Sequence, residues 1–527
     1  MPADDPRRAL TLPDAILAAA NARPDLPVMF CSATRSERVS LAELVGQAAR
    51  CAAAFRKLGV RPGDSVAVQV PSRIEGVVAQ AAAMLAGAVL VPVVPGYGPR
   101  ELGFILRESH ARLLVTPDRF GHRDYLADLR RIGSCPELSS VAVIGDSVPR
   151  GFLGWAQLVK GSDPLTPPSS ITPDDVCLLV YTSGTTGQPK GVQHSHATLL
   201  AELRTRLTGV ATDSVILAAF PSGHVAGTLG LLRMLLQGMP HVVLETWDAA
   251  TAARLITEHG VTATGGTPFF LTTLLDLADD VDLSSLREYG VGGASVPPSV
   301  IERAHKHGIM AFRAYGSSEH PSISGGSPDD ALDKRAHTDG RLLDGVEVRI
   351  VDRTLQNLSA GNAGEILSRG PELFVGYRDP ALDTDAFLPG RWFRTGDVGV
   401  LDTDGYLTIT DRRKDLIIRG GENLSSKLIE DILSEHEAVA EASVVAAPDP
   451  LYGERVCAFV VLRPGSALSL NDVREHFSTA GTTRQLTPEH LELVDDLPRT
   501  PTGKVRKDDL RKRLHGPGDT GGDDPVQ

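Results

Sequence analysis

Apolar side chains recur at helical spacing early in the chain, between Ser40 and Gly59. Ser40 and Glu43 have the spacing of a capping box, in which a hydroxyl and a carboxylate satisfy the free amides of a helix start. Glycine often ends a helix because it accepts a left-handed backbone conformation. The pattern therefore predicts an amphipathic helix that ends at Gly59. Its apolar face consists of Leu41, Leu44, Val45, Ala48, Ala52 and Phe55.

Strand-like and helix-like stretches then alternate. A short apolar run at 65–70, a helical pattern at 75–86 and a second apolar run at 88–94 follow one another directly. Consecutive strands that are joined through a helix lie parallel in one sheet. The sequence therefore predicts an α/β body. Similar apolar runs return near Val215, Val242, Val261 and Val291.

The periodicity changes in the last third of the chain. From 345 to 410, short β-type runs are separated by Gly, Asn and Asp, which indicates a small β-rich subdomain. An α+β pattern follows the basic segment at 411–415, with helices near 426–436 and 471–478 and a strand near 457–462. We predict an N-terminal domain at 1–411, a small mobile C-terminal domain at 412–514 and a disordered tail at 515–527.

Composition limits the classes of function. Lys and Arg total 53 against 66 Asp and Glu, and the formal net charge of -13 argues against a general nucleic-acid binder. Five scattered cysteines without CxxC spacing indicate reduced thiols. No apolar run reaches the roughly 20 residues that a membrane-spanning helix needs, and the N-terminus lacks the apolar core of a signal peptide. We expect a cytoplasmic protein of more than one domain.

The segment YTSGTTGQPKGV at 181–192 carries the clearest chemistry. It follows an apolar strand and precedes a helical run. Glycines let backbone amides approach an anion, hydroxyls add donors and a lysine adds charge, so the segment predicts a phosphate-binding loop. It is not a Walker A loop, because Pro189 stands where that pattern requires glycine. The candidate nucleotide-binding residues are Thr182, Ser183, Gly184, Thr185, Thr186, Gly187 and Lys190.

Together with other segments in the same order, this loop resembles the adenylate-forming superfamily of acyl-CoA synthetases, firefly luciferase and peptide-synthetase adenylation domains. The resemblance covers nearly the whole chain. AYGSSEH at 314–320 is similar to that family's YGxTE motif, with a serine in the place of threonine. The resemblance implies that Tyr315 stacks on adenine, Ser318 contacts phosphate and Glu319 helps to hold Mg²⁺. Gly316 and Ser317 belong to the same nucleotide-binding segment.

Two further segments resemble parts of the nucleotide site. GVGGASVPP at 290–298 is similar to the family's strand beside adenine. The small residues that would admit the flat base are Gly292, Gly293 and Ala294. RWFRTGDVG at 391–399 is similar to a segment whose aspartate, here Asp397, accepts both ribose hydroxyls, since an ionised carboxylate accepts several hydrogen bonds.

The C-terminal part resembles the family's moving domain. The resemblance places Arg412 against ribose or phosphate, Lys414 at the hinge and a CoA-binding face at Arg419, Gly420 and Gly421. LPRTPTGKVRKDDL carries Lys504 at the position of the family's catalytic lysine. The resemblance, rather than local charge, singles out this lysine.

These assignments imply an ATP-dependent ligase with two steps. A carboxylate would attack the α-phosphate of ATP, and a thiol would then take the acyl group from the acyl adenylate. Lys504 would bridge the acid and the α-phosphate, and Mg²⁺ on Glu319 would offset phosphate charge. The C-terminal domain would then rotate and withdraw the lysine. The expected cofactors and co-substrates are ATP, Mg²⁺ and coenzyme A.

The segments that contain histidine are less specific for a function than the motifs above. His224 in PSGHVAG resembles a family position at the edge of the acyl pocket that contributes to switching between the two steps, and a structural loop histidine is an equal alternative. His194 and His196 lack the i, i+4 spacing of a helical metal pair. We interpret both as structural residues at a loop-to-helix junction and expect no zinc.

The sequence gives weaker evidence for the identity of the acid substrate and of the acyl acceptor. Residues 219–230 contain no acidic side chain to pair with an amino group, and residues 265–270 combine small and aromatic side chains. These features favour a fatty, alicyclic or aryl acid. Coenzyme A is the simplest acceptor, because we expect no carrier module after Lys504. The alternatives are an acyl-AMP ligase that loads a separate carrier protein, a luciferase-like adenylate oxidase, and a nucleotide-binding protein of the same fold without activity.

Overall fold

The computed structural model describes residues 10–160, 162–168, 170–182, 189–204, 214–412, 414–419, 422–480, 482–500 and 503–514. Its helices are α1 (Leu12–Ala22), α2 (Leu41–Lys57), α3 (Ile74–Leu85), α4 (Pro99–Glu108), α5 (Tyr125–Leu129), α6 (Trp155–Lys160), α7 (His196–Arg204), α8 (Val225–Leu236), α9 (Ala249–His259), α10 (Pro268–Leu275), α11 (Pro298–Lys306), α12 (Leu332–His337), α13 (Asp383–Ala386), α14 (Ser426–Ser434), α15 (Leu470–Thr479) and α16 (Lys507–Leu514). No helix within these ranges is both long and apolar enough to cross a membrane.

The strands of the N-terminal part are β1 (Pro27–Cys31), β2 (Ser36–Ser40), β3 (Ser65–Val68), β4 (Val89–Pro92), β5 (Leu113–Pro117), β6 (Arg119–Phe120), β7 (Arg123–Asp124), β8 (Ser140–Ile144), β9 (Leu153–Gly154), β10 (Val176–Thr182), β11 (Lys190–Ser195), β12 (Ile216–Ala218), β13 (His241–Leu244), β14 (Ala263–Gly266), β15 (Glu288–Val291), β16 (Met310–Tyr315), β17 (Ser324–Gly325) and β18 (Arg341–Leu342). The remaining strands are β19 (Glu347–Val351), β20 (Gly364–Arg369), β21 (Gly376–Tyr377), β22 (Phe387–Leu388), β23 (Trp392–Leu401), β24 (Leu407–Arg412), β25 (Ile417–Arg419), β26 (Glu422–Leu424), β27 (Val439–Asp449), β28 (Gly453–Leu462) and β29 (His490–Leu493).

The predicted amphipathic helix is α2. The Glu43 amide donates to the Ser40 hydroxyl at 3.2 Å, and the Ser40 amide donates to the Glu43 carboxylate at 2.9 Å, so the capping box is formed. Gly59, two residues after the last helical residue, has a φ of +91°. The helix therefore starts and stops for the reasons that the sequence indicated.

Two large sheets form the body. One has the strand order β18-β17-β16-β15-β14-β12-β13-β1-β2, and the other has the order β21-β11-β10-β4-β3-β5-β8-β9. Strands β3, β4 and β5 of the second sheet lie parallel to one another. In the first sheet, β12, β13, β14, β15 and β16 also lie parallel to one another. Strands that helices cover on both faces are apolar throughout, which is why they are visible as apolar runs. The predicted α/β fold class is confirmed.

A smaller sheet of β19, β20, β22, β23 and β24 forms the predicted β-rich subdomain. A buried ion pair attaches it to the body: Arg313 in β16 donates to both carboxylate oxygens of Asp339 at 2.7 and 2.8 Å. Asp339 also accepts the amide of Ile409 in β24 at 2.7 Å. Because this contact joins β16 to β24, the ends of both strands are held in one place.

The C-terminal part has its own sheet, in the order β26-β25-β28-β27, with β29 beside β28. The predicted strand near 457–462 is β28, and the predicted helices are α14 and α15. Strand β27 was not predicted, although it pairs with β28 along its whole length. Strand β24 of the subdomain ends at Arg412 and β25 begins at Ile417. The predicted domain boundary between 411 and 412 falls just before this connection.

The helical run predicted after the phosphate loop is α7, which begins at His196. A strand that was not predicted, β11, lies between the loop and this helix, and it pairs antiparallel with β10 so that Thr182 lies opposite Lys190. The loop therefore joins two strands of a hairpin. His194 lies within β11 rather than at a loop-to-helix junction, and His196 begins α7. The candidate residues Ser183, Gly184, Thr185, Thr186 and Gly187 lie outside the described residues.

Candidate active site

A cleft of about 2800 Å³ separates the body from the C-terminal domain. Many residues that the sequence singled out line it together, although they come from segments far apart in the chain. They are Thr182, Lys190, His224, Gly292, Gly293, Ala294, Tyr315, Gly316, Ser317, Ser318, Glu319, Asp397, Arg412, Lys414 and Lys504. The fold thus gathers the predicted nucleotide, hinge and lysine segments into one site.

Three strand positions bring a tyrosine, a carboxylate and a guanidinium together. Tyr315 ends β16, and Arg412 ends β24 directly opposite Asp397 of β23. The Tyr315 hydroxyl donates to Oδ2 of Asp397 at 2.7 Å, and Nε of Arg412 lies 2.8 Å from Oδ1. Burial and the Asp397 charge raise the pKa of Tyr315, and Asp397 raises the pKa of Arg412, so both stay protonated. Each oxygen of Asp397 has a second lone pair for a further donor.

Tyr377 connects two candidate residues and was not found by sequence reasoning. Its hydroxyl donates to Oε1 of Glu319 at 2.8 Å, and Nζ of Lys190 lies 5.3 Å from the centroid of its ring. Burial, followed by the Glu319 charge, raises the pKa of Tyr377. This tyrosine lies in the two-residue strand β21, which is too short for periodicity to reveal.

A buried histidine supports the segment that carries Glu319. Nε2 of His194 lies 2.8 Å from the carbonyl oxygen of Ser318, and Nδ1 lies 3.2 Å from the Thr198 hydroxyl. Burial lowers the pKa of His194 to about 4. The ring is therefore neutral at physiological pH, and its Nε2–H donates to the Ser318 carbonyl. This contact gives His194 the structural role that we predicted for it.

Glycines stand where backbone segments approach closely. A Cβ atom on Gly316 would lie 1.9 Å from the carbonyl oxygen of Pro321, and one on Gly292 would lie 2.8 Å from that of Ala314. Gly293 has a φ of +80°, a conformation that favours glycine. The missing side chains are thus required by the packing of the backbone as well as by space in the cleft.

Lys504 reaches the cleft on a short hairpin loop. Its amide donates to the Thr500 hydroxyl at 3.2 Å, and its carbonyl accepts the Thr500 amide at 2.8 Å. A Cβ atom on the neighbouring Gly503 would lie 3.1 Å from the Phe269 ring of α10, so the loop rests on that ring. The ring centroids of Phe269 and Phe270 lie 6.1 Å apart, and the Phe270 ring stacks on the Trp247 indole with a centroid distance of 4.3 Å. The lysine loop therefore touches the edge of an aromatic cluster in the body.

The charge of Lys504 is sensitive to its surroundings. The nearby positive charge of Arg412, followed by burial, lowers the pKa of Lys504 from 10.5 to about 7. Burial, followed by the positive charge of Lys504, lowers the pKa of His224 to about 4. His224 precedes α8, and its Nε2 is buried without a hydrogen-bond partner among the residues that the structure describes. A neutral imidazole close enough to Lys504 to feel its charge thus directly precedes the first turn of α8.

The affinity of the free protein for ATP should fall as pH rises through about 7. Below its pKa, Lys504 carries a charge that attracts phosphate; above it, the amine is neutral. Binding of an anion raises this pKa again, so one proton is taken up and affinity changes by up to about tenfold per pH unit. Calorimetry at several pH values tests this, and Lys504→Ala controls for the titration of ATP itself. Equal pH dependence in both proteins would contradict the assignment.

The predicted CoA-binding residue Arg419 lies away from this arrangement. Its guanidinium donates to both carboxylate oxygens of Glu489, at 3.1 and 2.7 Å, and lies 4.0 Å from the centroid of the Tyr452 ring. These contacts stay within the C-terminal domain. Lys504, and not Arg419, therefore lines the cleft together with the residues predicted to bind the nucleotide. Gly420 and Gly421 lie outside the described residues.

Comparison with known proteins identifies the family. The AMP-binding enzyme family matches residues 16–378, and the AMP-binding enzyme C-terminal domain matches residues 428–504. The chain belongs to the AMP-binding enzyme family. The medium-chain fatty-acid–CoA ligase of Escherichia coli (strain K12) is 34% identical over 467 residues, which cover 86% of this chain and 82% of that protein. A salicylyl-CoA synthase / salicylate adenylyltransferase of Streptomyces sp is 33% identical over 500 residues, which cover 92% and 90%.

Solved structures share the fold over nearly the whole chain. The anthranilate CoA ligase AuaEII, in complex with anthranoyl-AMP, superposes with a TM-score of 0.88 and 26% identity over 98% of this chain and 99% of that one. The predicted family, fold and class of enzyme, an AMP-forming acyl-CoA synthetase, are therefore confirmed.

Proposed function

We propose that this AMP-binding enzyme is a carboxylic acid:CoA ligase that joins a fatty, alicyclic or aryl acid without an amino group to coenzyme A. The observation that carries the proposal is the convergence of Lys504, Arg412 and Asp397 on one cleft, which apolar residues of α8 also line. A charged group for two anions, a ribose acceptor and an apolar lining for the tail of the acid are the three features that acyl adenylation needs.

In the first step, a carboxylate oxygen of the acid attacks the α-phosphorus of ATP, and the bond from that phosphorus to pyrophosphate breaks. Both reactants are anions, so the main obstacle is electrostatic. Lys504, protonated once the anions raise its pKa, offsets charge where carboxylate and α-phosphate meet. Asp397 accepts the ribose hydroxyls and Tyr315 lies against the base, which fixes the phosphorus for in-line attack.

Glu319 fits a magnesium ion. Mg²⁺ in nucleotide-dependent enzymes takes one or two carboxylates together with substrate phosphates, rather than a complete protein cage. Glu319 lines the cleft, and the Tyr377 hydroxyl bonds to its Oε1, which orients the carboxylate. When bound, Mg²⁺ would supply positive charge to the phosphates. Lys190 would add a second charge to the same phosphates from the end of the hairpin loop.

In the second step, the thiol sulfur of coenzyme A attacks the acyl carbon, and the bond from that carbon to the oxygen of AMP breaks. The thiol gives up its proton and AMP leaves. We infer that this step needs the C-terminal domain to rotate near Lys414, because Arg419 has to approach the cleft and Lys504 has to leave it. The position of Lys414 supports this hinge role, since it lies in the connection between β24, which ends at Arg412, and β25, which begins at Ile417.

The lining of the cleft favours an acid with an apolar tail. The residues that would contact the tail come from both stretches that the sequence suggested. They include Val225, Ala226, Leu229, Gly230, Gly265, Thr267 and Phe269. Two of the three proteins described above act, by name, on a medium-chain fatty acid and on salicylate, which lack an amino group. The third acts on anthranilate, an aryl acid whose aromatic amine is not an ammonium at neutral pH.

Pyrophosphate release from ATP and Mg²⁺, measured over a panel of alkanoic, alicyclic, aryl and amino acids, tests the proposal. At least one class without an amino group should release pyrophosphate, and addition of coenzyme A should produce the thioester, seen by mass spectrometry. Matched acids with an α-amino group should react at least about tenfold more slowly, because no carboxylate is available for the ammonium. Pyrophosphate without thioester, with transfer to a holo-carrier protein instead, would contradict coenzyme A as acceptor. Failure of every acid would contradict the ligase activity.

A further inference from the structure

The loop that carries Lys504 is fixed at both of its ends. Leu497, which precedes the loop, is 2% exposed and belongs to an apolar cluster of the C-terminal domain, against which Val505 also packs. Arg499 and Val505 form an antiparallel bridge across the base of the loop. The C-terminal domain therefore determines where the loop begins and ends. Contacts between these two ends determine where Lys504 lies.

Arg499 makes three contacts at once, and each contact uses a different part of its guanidinium. Nη1 donates to the carbonyl oxygen of Gly503, the residue before Lys504, at 2.7 Å. Nη2 donates to Oε2 of Glu441 in β27. Cζ lies 5.3 Å from the centroid of the Phe269 ring in α10. Because the guanidinium is planar, its two Nη atoms can bind different acceptors while one face lies over a ring.

These contacts connect the lysine loop to both domains. The Glu441 contact attaches Arg499 to the C-terminal sheet, and the Phe269 contact attaches it to the body. Phe269 also contacts the loop directly, since a Cβ atom on Gly503 would lie 3.1 Å from its ring. The side chain of Arg499 is only 18% exposed, so water screens its contacts weakly. Arg499 thus holds the residue before the lysine against the body.

We infer that Arg499 is a positioning residue for acyl adenylation, which holds the backbone of Lys504 so that the ammonium lies where the carboxylate and the α-phosphate meet. This inference rests on the proposed ligase function and adds a residue to it. Both Nη atoms of Arg499 are bound to protein acceptors, which favours a role through Lys504 over a contact with the substrate. The Phe269 contact joins the two domains, so it is lost when the C-terminal domain rotates. Arg499 therefore serves the first step alone.

A double-mutant cycle with Lys504→Ala tests the inference. Arg499→Met removes both hydrogen bonds, and it should lower the single-turnover rate of pyrophosphate release by at least about tenfold, because a misplaced catalytic group loses much of its effect. In the Lys504→Ala background, the same substitution should change the rate by no more than about twofold, since no ammonium is left to position. The cycle uses pyrophosphate release alone, so it does not depend on the acceptor of the acyl group.

Arg474→Met is the matched control. Arg474 is an exposed arginine of α15 in the same domain, and it donates to Asn471 one turn away. Its substitution should leave the rate unchanged in both backgrounds.

Three further measurements distinguish positioning from a general loss of structure. From supplied acyl-AMP and coenzyme A, Arg499→Met should form thioester at close to the wild-type rate, which also shows that the variant is folded. Arg499→Lys keeps the charge but lacks the planar fork, so it should not restore pyrophosphate release. Glu441→Gln keeps an oxygen opposite Nη2 of Arg499 and should retain more activity than Arg499→Met.

Each outcome decides the inference. A loss that is equally large in the wild-type and Lys504→Ala backgrounds overturns it, since Arg499 would then act on the substrate or on the fold. An unchanged rate in Arg499→Met, or an equal loss in thioester formation, overturns it as well. These results leave the ligase function intact, because the wild-type protein still releases pyrophosphate and forms the thioester. Absence of pyrophosphate release from the wild-type protein with every acid removes both the ligase function and this inference.

Discussion

Lys504→Ala should reduce acyl-adenylate formation by at least about 100-fold, because it removes one preorganised charge from the point where two anions meet. The lysine lies close to Arg412, which lowers its pKa to about 7, and its loop rests on the body. Supplied with chemically prepared acyl-AMP and coenzyme A, the same variant should form thioester at close to the wild-type rate. Single-turnover assays of the two half-reactions measure the rate of acyl-adenylate formation and the rate of thioester formation separately.

Lys512→Ala is the matched control for this variant. Lys512 lies eight positions along in the same C-terminal segment, but its side chain is 77% exposed and, among the described residues, forms an ion pair with Asp509. Its removal should leave both half-reactions unchanged. Equal losses in the two half-reactions of Lys504→Ala, in a protein shown to be folded, would mean that one fixed site serves both steps and that no domain rotation withdraws the lysine.

Asp397→Ala should weaken ATP binding by at least about 100-fold. Two ribose hydroxyls lose a charged acceptor, at roughly 1.5 to 3 kcal/mol for each hydrogen bond to a charged group. In addition, the substitution leaves the Tyr315 hydroxyl and the Arg412 guanidinium without their carboxylate. Calorimetry with ATP in the absence of the acid measures the loss directly.

Two further variants separate these contributions. Tyr315→Phe removes one donor to Asp397 and leaves the carboxylate available, so its effect should be smaller than that of Asp397→Ala. Asp404→Ala, at an exposed carboxylate on the turn after β23, should not change the affinity. An affinity for ATP that is unchanged in Asp397→Ala would remove this residue from the nucleotide site.

The alternation of strands and helices was predictable because the parallel strands are covered on both sides and are therefore apolar throughout. Strand β27 was not, since VAEASVVAAPD is rich in alanine, which favours helices, and only pairing with β28 makes it a strand. Strand β11 was missed for a similar reason. KGVQHS is short and polar, and its place next to β10 and β21 defines it.

The candidate site was predictable wherever a motif carried the residue, and not where two distant segments meet. Asp397 and Arg412 were each expected near the ribose, yet no sequence pattern shows that they lie opposite each other in an antiparallel pair. Tyr377 has no motif at all. Its role depends on the side chain that the fold places against it, and this partner, Glu319, lies 58 positions away in the chain.

The contact between Gly503 and Phe269 makes the proposed domain rotation optically visible. Phe269 adjoins Phe270, and Phe270 stacks on the indole of Trp247 at 4.3 Å. Departure of the lysine loop would expose the outer ring to water and alter the surroundings of the indole two rings away. The chain has three tryptophans, and the others, Trp155 and Trp392, lie in different parts of the fold. With those two replaced by phenylalanine, the intrinsic fluorescence of Trp247 reports the domain rotation in each catalytic cycle, without any attached dye.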